Sequence, residues 1–349
     1  MNYLRKGTVL CYFIGIFNKG ENNMVETIKR DGKNIVAIGG GTGLSVLLRG
    51  LKEKTQSITA IVTVADDGGG SGRLREDLGM LPPGDIRSCL IALANTEPTM
   101  EKLLQYRFKE GSLKGQSFGN LFLAAMNEIH GSFEKAVEET SNVLKITGKV
   151  LPVTLDDITL IAELEDGSII EGESKIPLLS IEKKSKIKRI KTNPEISYPL
   201  KNAIDAIVNA DIIVLGPGSL YTSIIPNLLV KDMVNVINSS KAKVVYVCNI
   251  MTQPGETDDM GIKDHVEAIL NHTVDGFVDY CIANNKEIPA DILSKYIHDK
   301  AKPIYPQDLD IAYLKDKGIK FISDDFINIK DELIRHNAKK LSETIINLI

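Results

Sequence analysis

Two glycine-rich loops, each closing an apolar run, offer the clearest chemistry in this chain. Ile35-Val-Ala-Ile-Gly39 runs into Gly40, Gly41, Thr42 and Gly43, and Ile212-Ile-Val-Leu215 runs into Gly216, Pro217, Gly218 and Ser219. A helix-compatible stretch follows each. Such a turn aims backbone N–H groups and a helix N-terminus at an anion, usually a phosphate. Asp66 and Asp67 close a third apolar run, Ile58 to Val64, 23 and 24 positions beyond Gly43. A carboxylate at that place meets a ribose hydroxyl or holds a metal. Adjacent side chains at a strand end point to different faces, so one faces the ligand while the other caps the loop.

Further polar residues follow in glycine- and proline-rich segments. Gly68-Gly-Gly-Ser-Gly-Arg-Leu-Arg75 reads as backbone approach to a ligand or as a lid, with Arg73 and Arg75 placed to pair with phosphates or with nearby acids. In Pro82-Pro-Gly-Asp-Ile-Arg87, Asp85 is positioned to cap a helix and Arg87 falls in its first turn. Asn120 opens another helix, as its cap or as a reader of a base or sugar, and Ser219 is set to cap the helix after the second loop. Asn249 and Thr252 follow the run Val244 to Cys248. If these runs are parallel strands, all the loops meet in one crevice outside the strand C-termini.

Several chemistries find no support. The first loop nearly fits the dinucleotide fingerprint, but Leu44 stands where the third glycine belongs, which weakens a nicotinamide reading. No GxxxxGK[ST] loop, GxSxG elbow or HExxH cluster occurs. Cys11, Cys89, Cys248 and Cys281 fit no metal spacing, three of them sit in apolar patterns, and a reducing cytoplasm suits them. A net charge of −4 leaves no basic footprint for nucleic acid. The basic run Lys183 to Lys191 reads as a solvated edge or hairpin rim.

The elements that must position these residues alternate. Strands are expected at Ile35–Ile38, Ile58–Val64, Ile212–Leu215, Val244–Cys248 and Phe277–Ala283. Helices are expected at Leu44–Lys54, Ile86–Asn95, Leu121–Ile129, Phe133–Leu144, Tyr198–Asn209, Ile224–Ile237, Asp264–Leu270 and Asp331–Ile349. This predicts an α/β fold, Rossmann-like and doubly wound, with a mostly parallel sheet. Residues 149–192 read as a small β-rich insertion, with a hairpin turn at Asp166-Gly167. A long loop joins Asp67 to Pro83. Residues 1–30 read as an extension or an overcalled start, and 31–349 as one domain. The apolar stretch Thr8 to Phe17 is too short for a membrane span.

The ordered set Ile38-Gly-Gly-Gly-Thr-Gly43, Val64-Ala-Asp-Asp-Gly68, Ser71-Gly-Arg-Leu-Arg75, Pro82-Pro-Gly-Asp-Ile-Arg87, Gly216-Pro-Gly-Ser-Leu-Tyr221 and Met251-Thr-Gln-Pro-Gly-Glu-Thr257 resembles the 2-phospho-L-lactate transferase (CofD)-like superfamily. Within it the set is similar to the YvcK branch, the gluconeogenesis factors. The resemblance implies a cytoplasmic bacterial protein that binds a UDP-sugar, notably UDP-N-acetylglucosamine. Such a protein supports cell shape and wall synthesis on gluconeogenic carbon by regulation, through a protein partner in amino-sugar synthesis. No cofactor is required in that reading. The transferase branch implies instead a Mg²⁺-dependent transfer of a phosphoryl-linked group, with Asp66 and Asp67 on the metal. By resemblance Gly40, Gly41, Thr42 and Gly43 meet the nucleotide, Gly216, Gly218 and Ser219 form the second phosphate loop, and Arg335 matches a basic position tied to UDP-sugar binding. Met260 stands where the branch often has tyrosine, and Gly70 where it often has serine. The oligomeric state, a homo-oligomer included, stays open.

Overall fold

The computed structural model describes residues 32–298, 300–330 and 332–348. The expectations for the N-terminal extension and Cys11 lie outside them. Strands β1 (Ile35–Gly39), β2 (Ile58–Val62) and β3 (Lys149–Pro152) come first. A small antiparallel sheet follows, made of β4 (Thr159–Leu164), β5 (Ile169–Glu171) and β6 (Ile187–Asn193) in the order β5-β4-β6. The chain then adds β7 (Ile212–Leu215), β8 (Lys243–Val247), β9 (Tyr280–Asn284) and β10 (Lys320–Asp324), and ends with the ribbon β11 (Ile327–Lys330) and β12 (Leu333–His336).

The main sheet has seven strands in the order β10-β9-β8-β7-β1-β2-β3, and every pair in it is parallel. From β1 the chain winds out through β2 and β3 on one side, then returns and winds out through β7 to β10 on the other. Ile35 pairs with Ile58 on one side and with Ile212 on the other. Both β1 and β7 are buried along their whole length, as strands covered on two faces must be, so they read as unbroken apolar runs.

Helices α1 (Gly41–Leu51), α2 (Gly69–Leu78), α3 (Gly84–Leu93), α4 (Pro98–Gln105), α5 (Phe118–His130), α6 (Phe133–Val143) and α7 (Ile176–Lys183) precede β7. Leu44, Leu47, Leu48 and Leu51 of α1 are fully buried at helical spacing, against α3 and the last helix, Ala338–Ile346. No helix among the described residues is long and apolar enough to cross a membrane.

The sequence and the structure part in several places. The stretch expected as a long loop holds α2, a ten-residue helix. Residues 149–152 are not part of the insertion but the edge strand of the main sheet, with Ala60 opposite Val150. The insertion also carries α7, with Pro177 in its first turn, where a missing N–H costs nothing. The helix expected over Ile224–Ile237 is broken: a π-turn at Leu220–Ile224 leads into Ile225–Leu229, and a second helix, Met233–Ser239, follows a left-handed Asp232. The tail forms β12 before it turns helical. The hairpin turn falls at Asp166-Gly167 as expected, with the Asp166 carboxylate accepting from the Ser168 N–H at 2.9 Å. The basic run is the solvated rim it was read as: Lys188 and Lys191 lie 2.9 and 3.4 Å from Glu163 and are exposed.

Candidate functional site

The direction of winding reverses at β1, so a crevice opens above the C-terminal ends of β1 and β7. The two glycine loops line it and touch. A Cβ on Gly43 would come within 2.5 Å of the Pro217 carbonyl oxygen, so only glycine lets the loops pack this closely. The loop after β8 braces the second one. Asn249 accepts from the Gly218 N–H at 3.3 Å and donates to the Gly218 carbonyl at 2.9 Å, and Gln253 donates to Ser219 Oγ at 2.7 Å. The Ser219 hydroxyl makes no cap bond to its own helix. Thr252 Oγ1 accepts from the Lys302 N–H at 2.9 Å, so it anchors a neighbouring segment rather than lining the crevice.

On the β2 side lies a pocket of about 230 Å³, lined by Gly41, Thr42, Asp66, the Gly68–Ser71 turn, Gly84, Asp85, Arg87, Ser88, Arg107 and Asn120. Helices α1, α2 and α3 all begin at its wall, so three helix N-termini open onto one volume. The two adjacent aspartates separate. Asp66 faces the pocket and accepts from the Gly68 N–H at 2.9 Å. Asp67 turns to the insertion and accepts from the Ser174 N–H at 2.8 Å.

Asp85 does not cap its helix, because Pro83 occupies the cap position. It reaches instead to the Gly41 N–H of the first loop. Burial, and then the neighbouring Asp66, push its carboxyl up to about 7. Arg87 donates to Ser117 Oγ and, at 2.8 Å, to Asn120 Oδ1. Asn120 thus orients an arginine, while the cap of its helix is Ser117. Arg73 is exposed and donates to the Lys114 carbonyl, and Arg75 pairs with Asp157 at 2.6 Å, so neither lines the pocket. Arg335 lies on β12, where its neighbour His336 contacts the Cys248 carbonyl at 3.2 Å, and it too stands apart from the pocket.

The insertion supplies a strap. Gly172 to Pro177 runs from Asp67, after β2, to Gly255, after β8, whose φ of +80° brings it against the Pro177 carbonyl. Glu173 on this strap is mostly buried. Desolvation first, then Asp66, Glu256, Asp67 and Asp85, push its carboxyl up to about 8. Glu256, almost fully buried beside Thr222, is raised to about 7 by desolvation.

The sequence pointed to the glycine loops, Asp66 and Arg87. It missed Asp85 as a floor residue, although a proline at the preceding cap was a signal. It gave no sign of Glu173 or Arg107, which come to the site only through tertiary packing, and held Glu256 only as an unassigned member of the Met251–Thr257 segment. Magnesium needs one or two carboxylates beside a phosphate. Asp66 and Asp67 diverge and do not form such a pair. Asp66 and Asp85 do share the pocket, and a cation would relieve their repulsion, so a carboxylate pair plus ligand phosphate fits there. No group of three His, Cys, Asp or Glu side chains among the described residues has ligating geometry.

The sequence pattern of the family described as 2-phospho-L-lactate transferase CofD matches residues 35–327. A protein of Thermoanaerobacterium thermosulfurigenes is 58% identical over 319 residues, which is 91% of this chain and 98% of that one. The gluconeogenesis factor of Bacillus subtilis (strain 168) is 50% identical over 316 residues, 90% of this chain and 98% of that one. A crystal structure from Bacillus halodurans superposes with a TM-score of 0.86 at 49% identity, over 90% of this chain and 99% of that one.

Proposed function

The chain belongs to the 2-phospho-L-lactate transferase CofD family, in its YvcK-type gluconeogenesis-factor branch, and from that membership we propose that it is a UDP-sugar-binding regulator. Its ligand is UDP-N-acetylglucosamine or a neighbouring UDP-sugar, and it acts in the cytoplasm to link gluconeogenic growth to wall precursors and cell shape. The observation that carries this reading is that the loops after β1 and β2 line one pocket with three helix N-termini, while the loops after β7 and β8 pack beside the first of them. Gly40 to Gly43 and Gly216 to Ser219 hold the diphosphate by their N–H groups. Asp66 takes a hydroxyl.

Occupancy acts on the Gly68–Ser71 turn and on the strap, and so changes affinity for a protein partner in amino-sugar synthesis. The change equals the ligand's differential affinity for the two arrangements. Titration calorimetry with UDP-N-acetylglucosamine, with and without Mg²⁺, is the test. Micromolar binding without metal, with the nucleotide recovered intact, is expected. Absence of any UDP-sugar binding would sink the reading.

One observation favours a second reading. Asp66 and Asp85 crowd one pocket, and the Asp85 carboxyl is held up to about 7. A Mg²⁺-dependent transferase of a phosphoryl-linked group would use that pair with the donor's phosphates. Magnesium-dependent turnover of a nucleotide-activated donor in the same titration mixtures identifies it.

A further inference from the structure

Two arginines stand in the wall of the pocket. Arg107 lines the pocket with Arg87, yet the two come from different elements. Arg87 stands on α3, and its guanidinium is bonded to neutral oxygens of Ser117 and Asn120. Arg107 donates to the neutral Gly115 carbonyl. Among the described residues no ion pair engages either guanidinium. They are near enough that, after burial, Arg107 is the next cause pulling Arg87 below its ordinary value. Two guanidinium groups that face one cavity repel unless an anion lies between them.

Asp85 and Asp66 offset part of this charge, each acting on Arg87 less strongly than Arg107 does. The N-termini of α2 and α3 add partial positive charge at the same wall.

Arg107 is also held in place. The segment from Tyr106 to Ser117 folds back on itself: Arg107 bridges Ser117, Phe108 N–H donates to Gln116 at 2.9 Å, and Gly115 N–H donates to Phe108 at 2.9 Å. Tyr106 and Phe108 pack edge to face with ring centres 5.2 Å apart.

We propose that Arg87 and Arg107 form an anion subsite for a phosphate or carboxylate, distinct from the contacts made by the two glycine loops. The subsite deepens the nucleotide-binding reading and rests on it only for the position of the rest of the ligand. The anion is either the ligand's own phosphate or a separate anion bound beside it. Guanidinium groups suit both because they bind oxyanions with two parallel hydrogen bonds.

Calorimetric titration of the full chain with inorganic pyrophosphate tests this, on the wild type, R107Q, R107K and R49Q. Arg107 is exposed, so its replacement leaves the fold intact, and Arg49 is a surface arginine paired with Glu101 at 3.7 Å. R107Q is expected to weaken pyrophosphate at least fivefold, R107K less, and R49Q less than twofold. Repeating the titration with UDP-N-acetylglucosamine present separates the sources: competition assigns the subsite to the ligand's own phosphate, and simultaneous binding assigns it to a second anion. No pyrophosphate binding to the wild type, a smaller loss in R107Q, or an equal loss in R49Q overturns the proposal. If UDP-N-acetylglucosamine fails to bind while the R107Q loss stands, the function reading falls and the subsite survives.

Discussion

At the residue scale, neighbours in sequence have opposite duties. Asp66 faces the pocket, and Asp67 pins the strap through Ser174. The sequence anticipates the divergence from strand alternation, but β2 ends at Val62 and both aspartates lie in the irregular segment before α2, so that segment and the insertion folded against it set their directions. The two substitutions should therefore separate. Asp66→Ala is expected to weaken UDP-N-acetylglucosamine by tenfold or more in calorimetry, on the scale of about 1.4 kcal/mol per factor of ten. Asp67→Ala is expected to cost affinity less and to expose Gly172 to Pro177 to limited proteolysis. The opposite ranking would show the assignment to be reversed. Asp85 illustrates another limit of the sequence. A first-turn acid reads as a helix cap, but Pro83 already holds that position and frees the carboxylate to reach Gly41.

At the element scale, the strands were the legible part. Buried parallel strands need near-continuous apolar runs, and β1 and β7 show them with glycine at the stop, while β2 is interrupted by Thr59 and β8 opens on Lys243. Helix α2 was illegible for the matching reason. Gly69, Gly70 and Gly72 lower its intrinsic helix propensity, so its helicity comes from its surroundings. Arg75 supplies part of that support, donating to the Ile158 carbonyl at 2.8 Å and pairing with Asp157. Strand β10 was missed because it is a short edge strand with no buried residue and no period-two pattern. The contact between the two glycine loops gives a prediction at this scale. Gly43→Ala drives a Cβ into the Pro217 backbone, which has little room to yield. Loss of about 1–3 kcal/mol of stability is expected, the usual cost of overpacking. Chemical denaturation would check it, and a change under about 0.5 kcal/mol, the size of an ordinary surface substitution, would show that the second loop moves freely.

At the scale of the whole molecule, the buried acids set how stability follows pH. Asp85, Glu173 and Glu256 keep their protons up to about 7, 8 and 7 when folded, whereas their ordinary values are 3.8, 4.5 and 4.5. Between those limits the folded state binds more protons than the unfolded chain. Stability from these groups is therefore fully present below about pH 4 and is lost as pH rises through 7 to 8. The melting temperature is expected to fall from pH 5.5 to pH 8.5. Glu256→Gln cannot ionise, so its advantage over the wild type should grow over that range to about 1–3 kcal/mol. A melting temperature that climbs with pH would contradict the assignment.

The strap ties together two loops that lie on either side of β1 and β7. None of Gly172 to Pro177 lines the pocket, so the strap is a tie-rod beside it rather than a cover over it. A cut in the insertion is expected to loosen both loops together.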